Sequence, residues 1–133
     1  MQYLLDTNIC IYLIKKRPQK VIEHLKQHSP VDVAISVITL FELEYGVEKS
    51  QYRERSKAAL TKFLMPLQII DLDRPSAVEA AAIRAQLEKK GIPIGAYDLL
   101  IAGTAHSKDM ILVTNNTKEF ERIDNLHLEN WAL

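Results

Sequence analysis

The chain has 133 residues, 47% apolar and 26% charged, the balance of one ordinary globular domain, which excludes disordered, collagen-like and low-complexity classes. Lys+Arg 17 cancel Asp+Glu 17, so a broadly basic nucleic-acid coat is excluded while a local basic rim around an acidic centre is not. The single cysteine, Cys10, excludes an intrachain disulfide and a cysteine-rich zinc site, and the short apolar opening, broken by Asp6 and Asn8 and lacking a basic lead and cleavage site, reads neither as a membrane span nor as a signal peptide.

Gln2–Asp6 reads as a buried first strand and Thr7–Lys16 as a helix broken by Arg17-Pro18. Lys20–Gln27 is a second helix with Val21, Leu25 and Ile22 inward, and Val31–Ser36 a second strand. Helices over Val37–Lys49 and Tyr52–Leu64 follow, the latter ending before Pro66. Leu67–Leu72 is a third strand. Pro75–Lys90 is an Ala-rich helix closed by Gly91, and Gly95–Ser107 is another helix. Met110–Thr114 is a fourth strand, Thr117–Arg122 a short helix, and Leu126–Leu128 an edge strand. Strands alternating with helices predict an α/β fold with a parallel sheet. The apolar runs QIIDL and MILVT predict strands covered on both faces, hence three layers, α/β/α. Polar chemistry in such sheets collects beyond the carboxyl ends of the strands, where strand order reverses.

Four sequence positions then stand out. Asp6 ends the first strand in LLDTN, where it reads either as a helix N-cap or as a ligand, two roles that are compatible. Glu42 lies in SVITLFELEYG, a helix apolar nearly all round. It is either the far half of a capping box with Thr39, if the helix starts late, or an interior acid that needs a cation, if the helix starts at Ser36. Asp98, in IPIGAYDLLIAGTAH, either complements a helix N-terminus or sits buried. The polar turn Thr114-Asn115-Asn116-Thr117-Lys118-Glu119 after the fourth strand is a turn and cap, or part of a site. Glu44 and Glu48 fall on another helix face and read as solvated. Carboxylates that converge without Lys or Arg in their own motifs repel one another, and hard oxygen ligands suit Mg²⁺ or Mn²⁺. The chemistry such an ion serves is phosphoryl transfer or phosphodiester hydrolysis.

LLDTN, TLFELEYG, IPIGAYDLLIAGTA and LVTNNTKEFERI, in that order over almost the whole chain, resemble the PIN-domain ribonucleases, and within them the VapC toxins of bacterial toxin–antitoxin pairs. The resemblance implies a single PIN-like nuclease domain over residues 1–133, with a central parallel sheet of four or five strands flanked by helices. It implies Mg²⁺-dependent endoribonuclease activity, Mn²⁺ substituting, at an acidic site carried onto Asp6, Glu42 and Asp98. Thr7 and Asn8 fall in the first motif, with Asn8 as the polar orienting residue. The fourth acidic position departs from the commoner pattern, which has Asp where this chain offers Asn116 or Glu119. We take Glu119 as the fourth acid, with Thr114, Asn115 and Asn116 as polar support. The resemblance further implies a VapB-type antitoxin that occludes the site, a homodimer or larger toxin–antitoxin assembly, a cytoplasmic setting, and tRNA as substrate, cut in the anticodon stem-loop.

On this reading Asp6 and Asp98 hold Mg²⁺, Glu42 is a ligand or a base on the attacking water, and cleavage leaves a 5′-phosphate and a 3′-hydroxyl. His24, His28, His106 and His127 form no acid/base pair and read as surface or packing residues. Counter-charge for RNA is sought in Lys15, Lys16, Arg17 and Lys20 near the first helices, in Lys49, Arg53 and Arg55 beyond the Glu42 helix, and then in Lys89 and Lys90. The antitoxin groove is expected between helices Val37–Lys49 and Tyr52–Leu64, which carry Phe41, Tyr45, Tyr52 and Phe63, with Phe41 in the core. Two other classes compete. A receiver- or dehalogenase-like phosphotransfer domain shares an early Asp, but Asn8 stands where a dehalogenase has its second Asp, and no Lys directly follows LVT as a receiver requires. A non-catalytic binding module would not need Asp6, Glu42 and Asp98.

Overall fold

The computed structural model describes residues 2–133. Strands β1 (Tyr3–Leu5), β2 (Val33–Ser36), β3 (Gln68–Ile70), β4 (Ile111–Val113) and β5 (Leu128–Glu129) form one all-parallel sheet in the order β3-β2-β1-β4-β5. The connecting helices are α1 (Thr7–Lys15), α2 (Gln19–Lys26), α3 (Val37–Glu48), α4 (Arg53–Leu64), α5 (Arg74–Lys89), α6 (Ala96–Ser107) and α7 (Thr117–Phe120), with a 3₁₀ turn at Pro30–Asp32.

Side chains alternate across a strand, and here the alternation builds two cores. Leu4, Ala34 and Leu112 face α5, α6 and Phe120 of α7. Leu5, Val33, Ile35 and Val113 face α1 to α4 and the buried Trp131. Three layers result, as the strand patterns predict. The chain runs outward from β1 through β2 to β3, then returns to place β4 on the other side of β1. Strand order therefore reverses between β1 and β4. Leu5 pairs with Val113 in this register, so Asp6 and Thr114 leave the sheet side by side, with the Asp6 N–H donating to the Val113 carbonyl at 2.9 Å.

The structure departs from the sequence reading in four places. QIIDL is not covered on both faces: β3 is an edge strand whose Gln68 and Ile69 are exposed, because the pattern of a strand does not disclose its place in the sheet. β5 begins at Leu128 and not at Leu126, and α7 stops at Phe120. The α3 helix does start at Val37 as the sequence predicts, capped by Ser36, whose hydroxyl accepts the Thr39 N–H at 3.1 Å, and this decides between the two readings of Glu42. The capping box Thr39–Glu42 is therefore not formed, and Glu42 is a half-buried residue of the helix interior. Phe41 is 53% exposed and not in the core, since α3 turns Thr39, Leu43 and Val47 inward and only one face of an all-apolar helix can meet the sheet. Among the described residues, no helix is long and apolar enough to cross a membrane.

Two glycines predict opposite responses. A Cβ on Gly103 would lie 2.7 Å from the Ala80 Cβ and 2.8 Å from the Ser76 carbonyl, where α6 crosses α5. Gly103→Ala should cost about 1–3 kcal/mol by overpacking. A Cβ on Gly46, inside α3, would meet nothing within 4 Å, so Gly46→Ala should stabilise by roughly 0.5–1 kcal/mol. Urea unfolding of both variants checks the pair; a Gly103→Ala variant as stable as the parent would contradict the contact.

Candidate active site

Asp6 is the N-cap of α1. Its Oδ1 accepts the Ile9 N–H at 3.2 Å, and its Oδ2 accepts the Thr114 hydroxyl at 2.5 Å. The cap and ligand readings of Asp6 are thus compatible in geometry. Burial pushes its carboxyl above the ordinary range, against the lowering effect of Thr114 and the N–H groups of Ile9 and Asn8; the charge of Glu42 adds to the rise. Burial and the Asp6 charge push the Cys10 thiol well above its usual value, so this cysteine is not a nucleophile.

The other acids arrive from helices. Glu42 projects from α3, and its Oε1 accepts the Thr7 hydroxyl at 2.6 Å; the same hydroxyl lies 3.3 Å from that of Thr39. Asp98 is in the first turn of α6, half-buried. Its carboxyl is pushed up to about 6, first by burial, then by the charges of Glu119, Asp6 and Glu42 and by a hydrogen bond with Glu119. Glu119 in α7 is held through Oε2 by the Asn116 side-chain amide at 3.0 Å. The Asn116 N–H donates in turn to the Thr114 hydroxyl at 2.9 Å. The fold thus brings together Asp6, Glu42, Asp98 and Glu119 with Thr7, Thr114 and Asn116. Asn8 is exposed and lines the adjoining cleft with Thr7, Ile11 and Glu42.

Asn115 plays a different part from the one expected. Its side chain points toward α1 and the chain's end, donating to the Tyr12 hydroxyl at 3.1 Å and accepting from Asn130 at 3.2 Å. The sequence reading missed Tyr12 and Asn130, and no local pattern marks them, because their contacts span most of the chain.

The donor set is all oxygen and negatively charged, and among the described residues none of the four acids takes part in an ion pair. That fits a hard divalent cation. Asp6, Glu42 and Glu119 each rest on a hydroxyl or amide support, and among the described residues no three His, Cys, Asp or Glu are arranged to enclose an ion. Magnesium does not require such a cage, since it binds through one or two carboxylates and keeps waters for a phosphate to replace.

The remaining candidates are dispersed. Glu44 and Glu48 pair across to α4, with Lys57 at 2.8 Å and Arg53 at 2.7 Å, so the charge of Arg53 is engaged within the chain. Lys49 stands over the Tyr45 ring, 5.0 Å from its centroid. Lys15 and Arg17 border a shallow cleft with Ile11 and Tyr12, and Lys16 is exposed. His24 and His28 stack on Trp131, His106 lies 3.0 Å from Glu79, and His127 lies 3.6 Å from Asp109, so these histidines do pack or line the surface.

A raised carboxyl pKa makes stability depend on pH. Asp98 takes up its proton more readily folded than unfolded, so its contribution is fully present below about 4 and lost as pH rises through about 6. In EDTA, the stability advantage of Asp98→Asn over the parent should therefore grow between pH 4 and pH 7. Thermal unfolding across that window checks it, and a difference independent of pH would remove the like-charge interaction.

The family described as PIN domain matches residues 3–126. The chain is 43% identical over 132 residues to the tRNA(fMet)-specific endonuclease VapC of Shigella flexneri, covering 99% of each chain. It is 47% identical over 132 residues to ribonuclease VapC2 of Rickettsia felis, covering 98% of each. Among solved structures it superposes on VapBC2 from Rickettsia felis, determined bound to a DNA fragment from its promoter, with a TM-score of 0.93 and 46% identity over 98% of this chain and 99% of that one. The profile match, the two relatives and the superposition agree over nearly the full length, and this chain belongs to the PIN-domain family, within its VapC group.

Proposed function

We propose that this chain is a VapC-type toxin: a Mg²⁺-dependent endoribonuclease, with Mn²⁺ able to substitute, that cuts tRNA in the anticodon stem-loop. The observation that carries the reading is the convergence of Asp6, Glu42, Asp98 and Glu119 without a compensating cation at the carboxyl end of the sheet. The names of the relatives, one of them a tRNA(fMet)-specific endonuclease, support RNA and tRNA as substrate.

Asp6 and Asp98 would hold the ion, with Glu42 beside them as a ligand or as a base on the attacking water. Bound there, it would neutralise the scissile phosphate and lower the pKa of the attacking water. Thr114 and the Ile9 N–H fix the Asp6 carboxylate, so one rotamer is kept ready. Thr7 fixes Oε1 of Glu42 and leaves Oε2 to accept a proton from water. Glu119, steadied by Asn116, sets its charge beside Asp98 and completes the site. In-line attack by water leaves a 5′-phosphate and a 3′-hydroxyl.

The similar solved structures are VapBC complexes, and a VapB-type antitoxin is the partner we infer, acting on a homodimer in the cytoplasm, with residues 1–133 as one nuclease domain. The groove fitted to it lies between α1, α3 and α4, lined by Ile11, Ile14, Leu43, Val47, Ala59 and Leu60, and it opens toward Glu42. Its walls are aliphatic. Phe63 packs into the core, and Tyr52 is exposed outside the groove, so the aromatic lining expected from the sequence is replaced.

Asp6→Asn and Asp98→Asn should each lose at least about a hundredfold in Mg²⁺-dependent cleavage of tRNA, and Thr114→Ala about ten- to a hundredfold. Glu44→Gln, whose acid pairs with Lys57, should keep activity. Normal cleavage by Asp98→Asn would refute the assignment; full activity of Glu119→Gln would move the fourth position to Asn116. For the partner, Ala59→Glu should abolish inhibition by antitoxin while sparing cleavage, and unimpaired inhibition would exclude the groove.

A further inference from the structure

One face of α3 carries an arrangement that the acid chemistry does not use. Phe41, Tyr45 and Lys49 recur at i, i+4 and i+8, so they form one ridge along the helix. Phe41 and Tyr45 are 53% and 59% exposed, and the Lys49 ammonium rests over the Tyr45 ring. Tyr97, one residue before Asp98 and 48% exposed, meets Phe41 edge-on with centroids 5.5 Å apart. The ridge borders a cleft whose other side is Thr7, Asn8 and Ile11 and whose inner end includes Glu42. Gly46 lies at the base of that cleft with open space where a Cβ would stand. A glycine inside a helix weakens it, and among the described residues no neighbour requires one here.

We propose that Phe41, Tyr45 and Tyr97, with Lys49, form a subsite that stacks an unpaired nucleobase of the RNA flanking the phosphate cut at the acid site. The inference rests on the RNA-cleaving reading above. Flat aromatic faces beside a cation that, among the described residues, no carboxylate neutralises suit a base and its phosphate. A protein partner would be served by the aromatics alone, whereas the free ammonium at the end of the ridge complements a polyanion. Continuity with Glu42 places the base within reach of the reacting phosphate. Stacking tolerates any base, so this subsite selects unpaired RNA over duplex and leaves sequence choice to other contacts.

The test compares two fluorescein-labelled RNA hexamers, oligoadenylate and its abasic counterpart of equal charge, by anisotropy in EDTA at fixed salt. The parent should bind the oligoadenylate about tenfold more tightly. Phe41→Ala and Tyr45→Ala should lose that preference, Phe41→Trp should keep it, and Lys49→Gln should weaken both probes alike. Equal binding of the two probes by the parent, or a preference that survives both alanine variants, would overturn the subsite. So would a change in particle mass by light scattering in Phe41→Ala, which would assign the face to contact between copies of the chain. A parent that shows the preference yet cleaves no RNA with Mg²⁺ or Mn²⁺ would uphold the subsite and refute the acid-site reading instead.

Discussion

Parallel pairing of β1 with β4 is the constraint from which the site follows. Once Leu5 is in register with Val113, Asp6 and Thr114 must emerge together from a sheet that has spent its backbone hydrogen bonds inside. The Asp6 carboxylate then does two jobs with two oxygens: one caps α1 and the other takes the Thr114 hydroxyl. Ser36, next in line at the end of β2, starts α3 in the same way, and that start rotates Glu42 toward Thr7. The entries of α1 and α3 are thus fixed by short polar side chains at strand ends, and the directions of Asp6 and Glu42 are set by the sheet.

Holding like charges together opposes folding, and the structure answers with neutral donors. Thr114, Thr7 and Asn116 each give a hydrogen bond to a carboxylate and carry no charge. They orient the acids without cancelling them. A lysine in any of these places would relieve the repulsion and remove the attraction for a cation at the same time. The surface pairs of α3 with α4 show the alternative solution: Glu44 and Glu48 have Lys57 and Arg53 as partners, and those acids are correspondingly unavailable.

Much of this is legible in the amino-acid sequence alone. The alternation of short apolar runs with helical ones yields the layers, and the motif positions of Asp6, Glu42, Asp98 and Glu119 lead to the residues that meet. What could not be read depended on neighbours far along the chain. The run around Ile69 looks like a buried strand, because composition does not say which strand lies at the sheet's edge. Phe41 looks like core, because an all-apolar helix does not announce which face is left uncovered. Glu42 had two local readings, and only the helix start at Ser36 decides between them. The hydrogen bonds of Asn115 with Tyr12 and Asn130 have no signature at all, being fixed by where β4 and the final residues settle.

The Thr114–Asp6 hydrogen bond joins residues 108 positions apart, and this bears on how the molecule comes into being at the ribosome. The first strand and its acid emerge early, but they have no β4 to pair with until most of the chain has been made. Trp131, buried against His24 and His28 from α2 and its flank, closes the same layer later still. A nascent or prematurely terminated chain therefore carries its acids on separate, unassembled pieces. Such an order of assembly would withhold whatever chemistry the acid cluster performs until synthesis is nearly over.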